Sequence, residues 1–290
     1  MTTVVYLAGY GRSGSTLADL LLGSRDGWFS MGEFRQFFHG VRSAWKCGCG
    51  RAIPECEVWS SVIVAGSDPD EAVRRLHSIV RVRYVPRVLR PTTHLPTQQF
   101  LEELAGRYHA AAEHTGARVL VDSSNDPVYG LFLQRAPGID LRVLHLVRDS
   151  RAVAWSLQRK RRRPEIEADA YLPVHSPLHT CFEWDFRNAL AHVLGRRAGA
   201  YVRVRYEDLA RDPADVVMRA TKDLGLQGGS PNFELADNHT VAGNPMRFTR
   251  GPLHVRADDE WQRCMPRRDR RLVTALTLPG LLRYGYLART

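Results

Sequence analysis

The sequence predicts an α/β protein, a P-loop-like three-layer fold with a central, mostly parallel sheet flanked by helices. Three observations lead there. Short apolar runs of the kind buried in parallel sheets (Val4 to Ala8, Arg118 to Asp122, Leu141 to Val147, Ala200 to Tyr206) alternate with stretches whose apolar residues recur every three or four positions. That alternation calls for crossovers, and it excludes a repeat array or a coiled coil. A glycine-rich turn links the first run to the first helical stretch, and polar residues suited to anions stand at the carboxyl ends of later runs, where open α/β sheets bind ligands.

The first run feeds Gly9-Tyr-Gly-Arg-Ser-Gly-Ser-Thr16, whose glycines permit positive φ and close approach of backbone N–H groups to an anion. The spacing is that of a P-loop, yet Ser15 stands where a nucleotide triphosphatase needs lysine, and the cation is Arg12. A triphosphate with its metal is poorly served. After the helix beginning near Thr16, the stretch Trp28 to Phe34 breaks the pattern and brings Glu33 back toward the top of the first strand. A carboxylate placed there is within reach of a transferred group and suits a general base, although a lone Glu is more often a surface residue.

Asp68 to Leu89 reads as one helix, with Ala72, Val73, Leu76, Ile79, Val80 and Val82 on its apolar side and Arg74, Arg75, Arg81, Arg83 and Arg87 on the rest. A solvated basic face is preferred to a docking surface. Gln98 to Thr115 reads as a second helix, closed by Gly116, and leads into the strand ending in Ser123, Ser124, Asn125 and Asp126. Val128 to Ala136 is helical, and the next strand runs directly into Arg148-Asp-Ser-Arg-Ala-Val-Ala-Trp-Ser156. Arg148 and Ser156 there suit a second phosphate, in preference to a plain Arg148–Asp149 pair at a helix start. Arg159 to Arg163 and the proline-punctuated stretch to Pro177 read as a mobile flap or a disordered insertion over the site, and a short basic run is also what a nucleic-acid binder shows. Helices follow at Leu178 to Gly199 and from Pro213 to Gly225, and the segment His239 to Arg247 is loop, with Arg247 and Arg250 placed to close on an anion.

With 290 residues, 44% of them hydrophobic, the chain is expected to form a single domain over 1–290, with substrate-lobe insertions near 34–100 and 159–179. The formal net charge of +10, mostly arginine, suits a polyanionic partner. The start of the chain lacks a basic, cleavable leader and no apolar run is long enough to cross a bilayer, so a cytoplasmic protein is expected. Three of the five cysteines crowd into Cys47-Gly-Cys49 and Cys56. Without a paired C-x-x-C, thiols in a structural turn are preferred to metal ligands.

Gly11-Arg-Ser-Gly-Ser-Thr-Leu17, Leu146-Val-Arg-Asp-Ser-Arg-Ala-Val-Ala-Trp-Ser156 and Arg205-Tyr-Glu-Asp-Leu209, in this order, resemble the sulfotransferases that use 3′-phosphoadenosine 5′-phosphosulfate (PAPS). The likeness is greatest to the branch of carbohydrate and tyrosylprotein sulfotransferases, and the cysteine turn and Gly243-Asn-Pro-Met-Arg247 are similar to segments of bacterial members. The resemblance implies PAPS as donor and 3′,5′-adenosine diphosphate (PAP) as product, with no metal required. Arg12, Ser13, Gly14, Ser15 and Thr16 are expected to hold the 5′-phosphosulfate, Arg148 and Ser156 the 3′-phosphate, and Arg247 to support one of the two. Glu33 falls where the tyrosylprotein branch keeps its catalytic glutamate, and Arg12 is expected to share in catalysis by taking up leaving-group charge. Many relatives carry lysine where this chain has Asn125, which donates a hydrogen bond but brings no charge. The expected acceptor is a hydroxyl of a small molecule, carbohydrate or natural product, with neither nucleic acid nor membrane as partner. Two other readings remain: a P-loop small-molecule kinase, and a non-catalytic RNA or polyanion binder.

Overall fold

The computed structural model describes residues 1–63, 68–90, 94–160, 171 and 173–287. Its centre is a five-stranded, wholly parallel sheet of β1 (Thr2–Gly9), β2 (Trp28–Gly32), β3 (Val119–Asn125), β4 (Ile139–Val147) and β5 (Ala200–Arg205), in the order β2-β3-β1-β4-β5. The chain starts in the middle of the sheet. From β1 it crosses to the far edge through α1 (Ser15–Gly23), then works back through β3 and past β1 to β4 and β5. Ala8 pairs with Asn125 and Gly9 with Leu146, so the carboxyl ends of the three central strands lie at one level, where ligands bind in sheets of this kind.

Alternation along β1 divides the core into two layers. Val4, Tyr6 and Ala8 face a cluster with Phe34, Phe37, Trp59, Phe100, Tyr108 and Phe132, while Val5 and Leu7 face Leu17, Leu20, Leu21, Leu209, Val217 and Leu224. All five strand residues are fully buried, as a central parallel strand requires.

The predicted strands are found, and β2 is an addition. It is a five-residue edge strand between Gly27 and Gly32, too short and too mixed in polarity to stand out. The single helix expected over 68–89 is instead a helix Pro69–Ile79, a 3₁₀ turn Val82–Tyr84 and a turn Val85–Val88. The break falls at Arg81, which is extended at φ −134 and ψ 146, and Pro86 sits in the first turn of Val85–Val88, where its missing N–H is tolerated. The helix expected to close at Gly116 does so: Leu95–Thr115 ends on Gly116 at φ 64. Beyond the expected elements lie the two-stranded pair β6 (Glu234–Leu235) and β7 (Gly251–Pro252) and the helices Trp261–Cys264, Arg267–Leu276 and Leu278–Arg283. Of the flap expected between 159 and 179, positions 161–170 and 172 lie outside the described residues. No described helix is long and apolar enough to cross a membrane.

Candidate active site

The glycine turn between β1 and α1 is held in an unusual backbone shape. Gly14 sits at φ 87 and the preceding Arg12 at φ 68, a region that costs a non-glycine residue on the order of 1 kcal/mol. A Cβ added at Gly14 would stand 2.4 Å from Cδ2 of Tyr206, so the turn is packed against that ring as closely as its backbone allows. Across the turn, Asn125 at the end of β3 donates from Nδ2 to Ser15 Oγ at 2.6 Å, and Thr16 Oγ1 accepts the Asn244 N–H at 3.1 Å. Asn125 itself has φ 57, a conformation asparagine tolerates better than most residues.

Arg148 leaves the end of β4, where a second phosphate is expected from the sequence. Its Nη1 donates to the Arg12 carbonyl at 3.0 Å, Nη2 donates to the Asp258 carbonyl and pairs with Asp258 Oδ2, both at 3.0 Å, and the guanidinium carbon lies 4.4 Å from the centre of the Tyr206 ring. Its Nε has no hydrogen-bond partner among the described residues, although the side chain is buried. The Arg148–Asp149 pair weighed from sequence is not the one formed. Asp149 caps the helix Ser150–Leu157 through the Arg151 N–H at 2.9 Å and is gripped by the Arg151 side chain at 2.9 and 2.6 Å. Glu207, from the Arg205 to Leu209 motif, accepts the Asp149 N–H at 3.1 Å and the Tyr286 hydroxyl at 2.7 Å, so that motif braces the strand end.

Glu33 follows Gly32, which takes φ 71 and passes so near a neighbouring segment that a Cβ there would lie 2.7 Å from the Ala242 carbonyl. That carbonyl accepts the Glu33 N–H at 3.2 Å. Behind the site, burial pushes the Asp19 carboxyl up to about 8 against the opposing hydrogen bond from Ser30, and the Asp122 carboxyl up to about 6 despite donors on Ser124 and Tyr108.

These parts open on one cleft of about 600 Å³, lined by Arg12, Gly14, Ser15, Thr16, Glu33, Asn125, Arg148, Ser156 and Tyr206, with Ala242 to Asn244 on one wall and Leu253 to Arg256 with Asp258 on another. The structure thus brings together the predicted Arg12, Gly14, Ser15, Thr16, Arg148, Ser156 and Glu33. Two predicted residues stand apart. The Ser13 side chain is buried and does not line the cleft. Arg247 is not in the cradle either: fully buried, it donates from Nη1 to the Thr240 carbonyl and from Nη2 to the Lys46 carbonyl, both at 2.7 Å. Arg250 likewise turns away, to Asp237 and the Gly48 carbonyl at 2.5 Å each.

The sequence reading missed Gln36, His175, His254, Arg256 and Asp258, all of which line the cleft. A signal existed for part of that set, because Leu253 and Val255, which pack in the core, alternate with His254 and Arg256 directly after Gly251-Pro252.

No protein-family model matches the chain, and neither does any curated protein. Among solved structures it is similar to the sulfotransferase domain from the Synechococcus PCC 7002 olefin synthase, at 19% identity, with 96% of this chain and 94% of that one covered and a TM-score of 0.50. It is also similar to the sulfotransferase domain from the curacin biosynthetic pathway, at 15% identity, with 95% and 97% covered and a TM-score of 0.55. The parallel sheet with its flanking helices is therefore an α/β fold shared with these sulfotransferase domains.

Proposed function

We propose that the protein is a PAPS-dependent sulfotransferase acting on a hydroxyl of a small molecule, carbohydrate or natural product. One observation carries the reading: two anion cradles at neighbouring strand ends and a carboxylate share a cleft of about 600 Å³. The donor set fits a bisphosphorylated nucleotide, because a buried guanidinium whose Nε has no partner among the described residues and a glycine turn at the start of a helix line the same cleft.

When bound, PAPS supplies an activated sulfuryl group and departs as PAP. Arg12 and the N–H groups from Ser13 to Thr16 bind the 5′-phosphate and meet negative charge there with fixed donors. Arg148 and Ser156 bind the 3′-phosphate, and Asp258 must give up its place on Arg148 for that to happen. Glu33 accepts the acceptor's hydroxyl proton on its carboxylate. The Asn125 amide holds the Ser15 hydroxyl in the position where relatives bring a lysine's charge, so neutralisation in this chain falls to arginine and backbone. The lobe over 34–100 reaches the cleft through Gln36, beside Glu33, and this supports an acceptor entering on that side.

The test is sulfuryl transfer from labelled PAPS to a panel of hydroxyl compounds, with Glu33→Gln in parallel. Turnover is expected to fall about 10²- to 10⁴-fold in the variant with donor affinity kept, the usual range for a positioned base. Full activity of the variant removes Glu33 from the mechanism. Magnesium-dependent ATP turnover with no PAP binding replaces the reading with a kinase.

A further inference from the structure

Outside the cleft, the structure gathers Cys47, Cys49, Cys56 and His239 so that one ligand atom from each lies within 4.8 Å of every other. Cys49 and Cys56 Sγ are 3.9 Å apart and Cys56 Sγ is 3.2 Å from His239 Nδ1. A tetrahedral zinc ion with bonds of about 2.3 Å to sulfur and 2.0 Å to nitrogen sets edges of about 3.8 Å between sulfurs and about 3.5 Å from sulfur to nitrogen. The cluster has that size, and 183 residues separate Cys56 from His239.

The surroundings are those of a metal centre. His239 presents Nδ1 inward while its Nε2 meets Glu57 Oε1 at 3.4 Å, the carboxylate partner that orients a metal-bound imidazole. Its carbonyl accepts Trp59 Nε1 at 2.6 Å and Phe29 stacks on its ring, so the imidazole is fixed before any ion arrives. A tight turn, in which Cys47 accepts the Gly50 N–H at 2.8 Å and donates its own N–H to the Arg51 carbonyl at 2.8 Å, presents the first two sulfurs. Three thiolates, one neutral imidazole and Zn²⁺ sum to one negative charge. The buried Arg247 guanidinium donates to the carbonyls of Lys46 and Thr240, the neighbours of Cys47 and His239 in the chain, and supplies the counter-charge.

We infer that Cys47, Cys49, Cys56 and His239 bind one structural zinc ion, which staples the 47–56 turn to the 239–247 segment. All four positions are filled by protein, so no open site is left for catalysis. The segment so pinned continues into Ala242, Gly243 and Asn244 of the cleft wall and, through the Ala242 carbonyl, holds the Glu33 backbone. On binding, the three thiols release their protons to solvent and the sulfurs take up Zn²⁺ as thiolates.

The test needs no sulfotransferase assay, so it stands apart from the functional reading. Full-length protein, purified without chelator or polyhistidine tag, is expected to carry about one zinc per chain by elemental analysis, released when a mercurial blocks its thiols. Replacement of that zinc by Co²⁺ is expected to give the visible bands and sulfur charge-transfer absorption of a tetrahedral thiolate site, a readout that requires no variant. Cys49→Ser, at a half-buried position, is expected to lose at least about 10-fold in zinc retention. Zinc far below one per chain after growth with added zinc, unchanged metal content in Cys49→Ser, or an intact mass lower by the two hydrogens of a disulfide would each overturn the assignment.

Discussion

Removing the Arg148 guanidinium takes away the donor that the Arg12 carbonyl, the Asp258 carboxylate and a bound phosphate would share. Arg148→Ala is expected to weaken PAP binding by about 1.5–3 kcal/mol, the usual worth of a hydrogen bond to a charged group, which calorimetry reads as roughly 10- to 100-fold. Asp258→Asn works in the opposite direction. It removes a competing carboxylate while keeping the backbone contact from the same residue, so PAP is expected to bind more tightly; weaker binding in the same titration would make Asp258 a support of the cradle. Asp19 gives a pH signature. Its carboxyl titrates near 8 in the fold because it is buried, against 3.8 ordinarily, so the folded protein holds this proton the more firmly. Its contribution to stability is complete below pH ~4 and is lost as pH rises through ~8. Melting curves of Asp19→Asn are therefore expected to lie above those of the parent at pH 9, with the gap narrowing as pH falls below ~8 and closing near pH ~4. That Gly14 to Thr16, Arg148 and Ser156 meet at one cleft was legible because turns at the carboxyl ends of parallel strands leave a local mark in residue type and spacing. Asp258 was not, since it reaches Arg148 through tertiary packing across 110 residues.

At the scale of elements, the glycine turn and its neighbouring ring behave as one unit. Gly14→Ala forces a Cβ into the Tyr206 ring and holds a side chain at φ 87, so it is expected to destabilise the fold by about 1–2 kcal/mol in denaturant titrations and to abolish measurable PAP binding. Strands β1, β3 and β4 were readable as apolar runs because a central parallel strand buried by helices on both faces has few polar positions to interrupt it, whereas β5, at the edge, alternates apolar residues with Arg203 and Arg205. The edge strand β2 has Ser30 at its centre, which bonds to Asp19 and needs no apolar residue there. In the helix expected over 68–89, apolar spacing persists across 80–88, yet the backbone leaves the helix at Val80 and Arg81, so periodicity reports which side is buried and not whether the helix continues. Arg247 shows the matching limit for a site residue. An arginine in a polar loop satisfies a phosphate or a pair of carbonyls equally well in sequence, and here the carbonyls of Thr240 and Lys46 hold it.

Across the whole molecule, the chain's last helices return to the start of the site. Tyr286 donates to Glu207 Oε2 at 2.7 Å and to the Val147 carbonyl at 3.1 Å, tying the distal end of the chain to the tip of β4. Tyr286→Phe leaves both acceptors short of a donor and is expected to cost about 1–3 kcal/mol in equilibrium unfolding. The mostly parallel, helix-flanked sheet followed from alternation, whereas the strand order, this latch and the 253–258 wall depend on contacts between segments far apart in sequence. The hydrogen bond from Arg148 to the Arg12 carbonyl, with Tyr206 wedged against both Gly14 and Arg148, joins the two cradles into a rigid calliper. On the proposed reading its jaws have a set gap, so the donor nucleotide would be gauged by the separation of its phosphates as well as by their charge, and an isomer with the same charge in another spacing is expected to bind PAP's site more weakly in a competition titration.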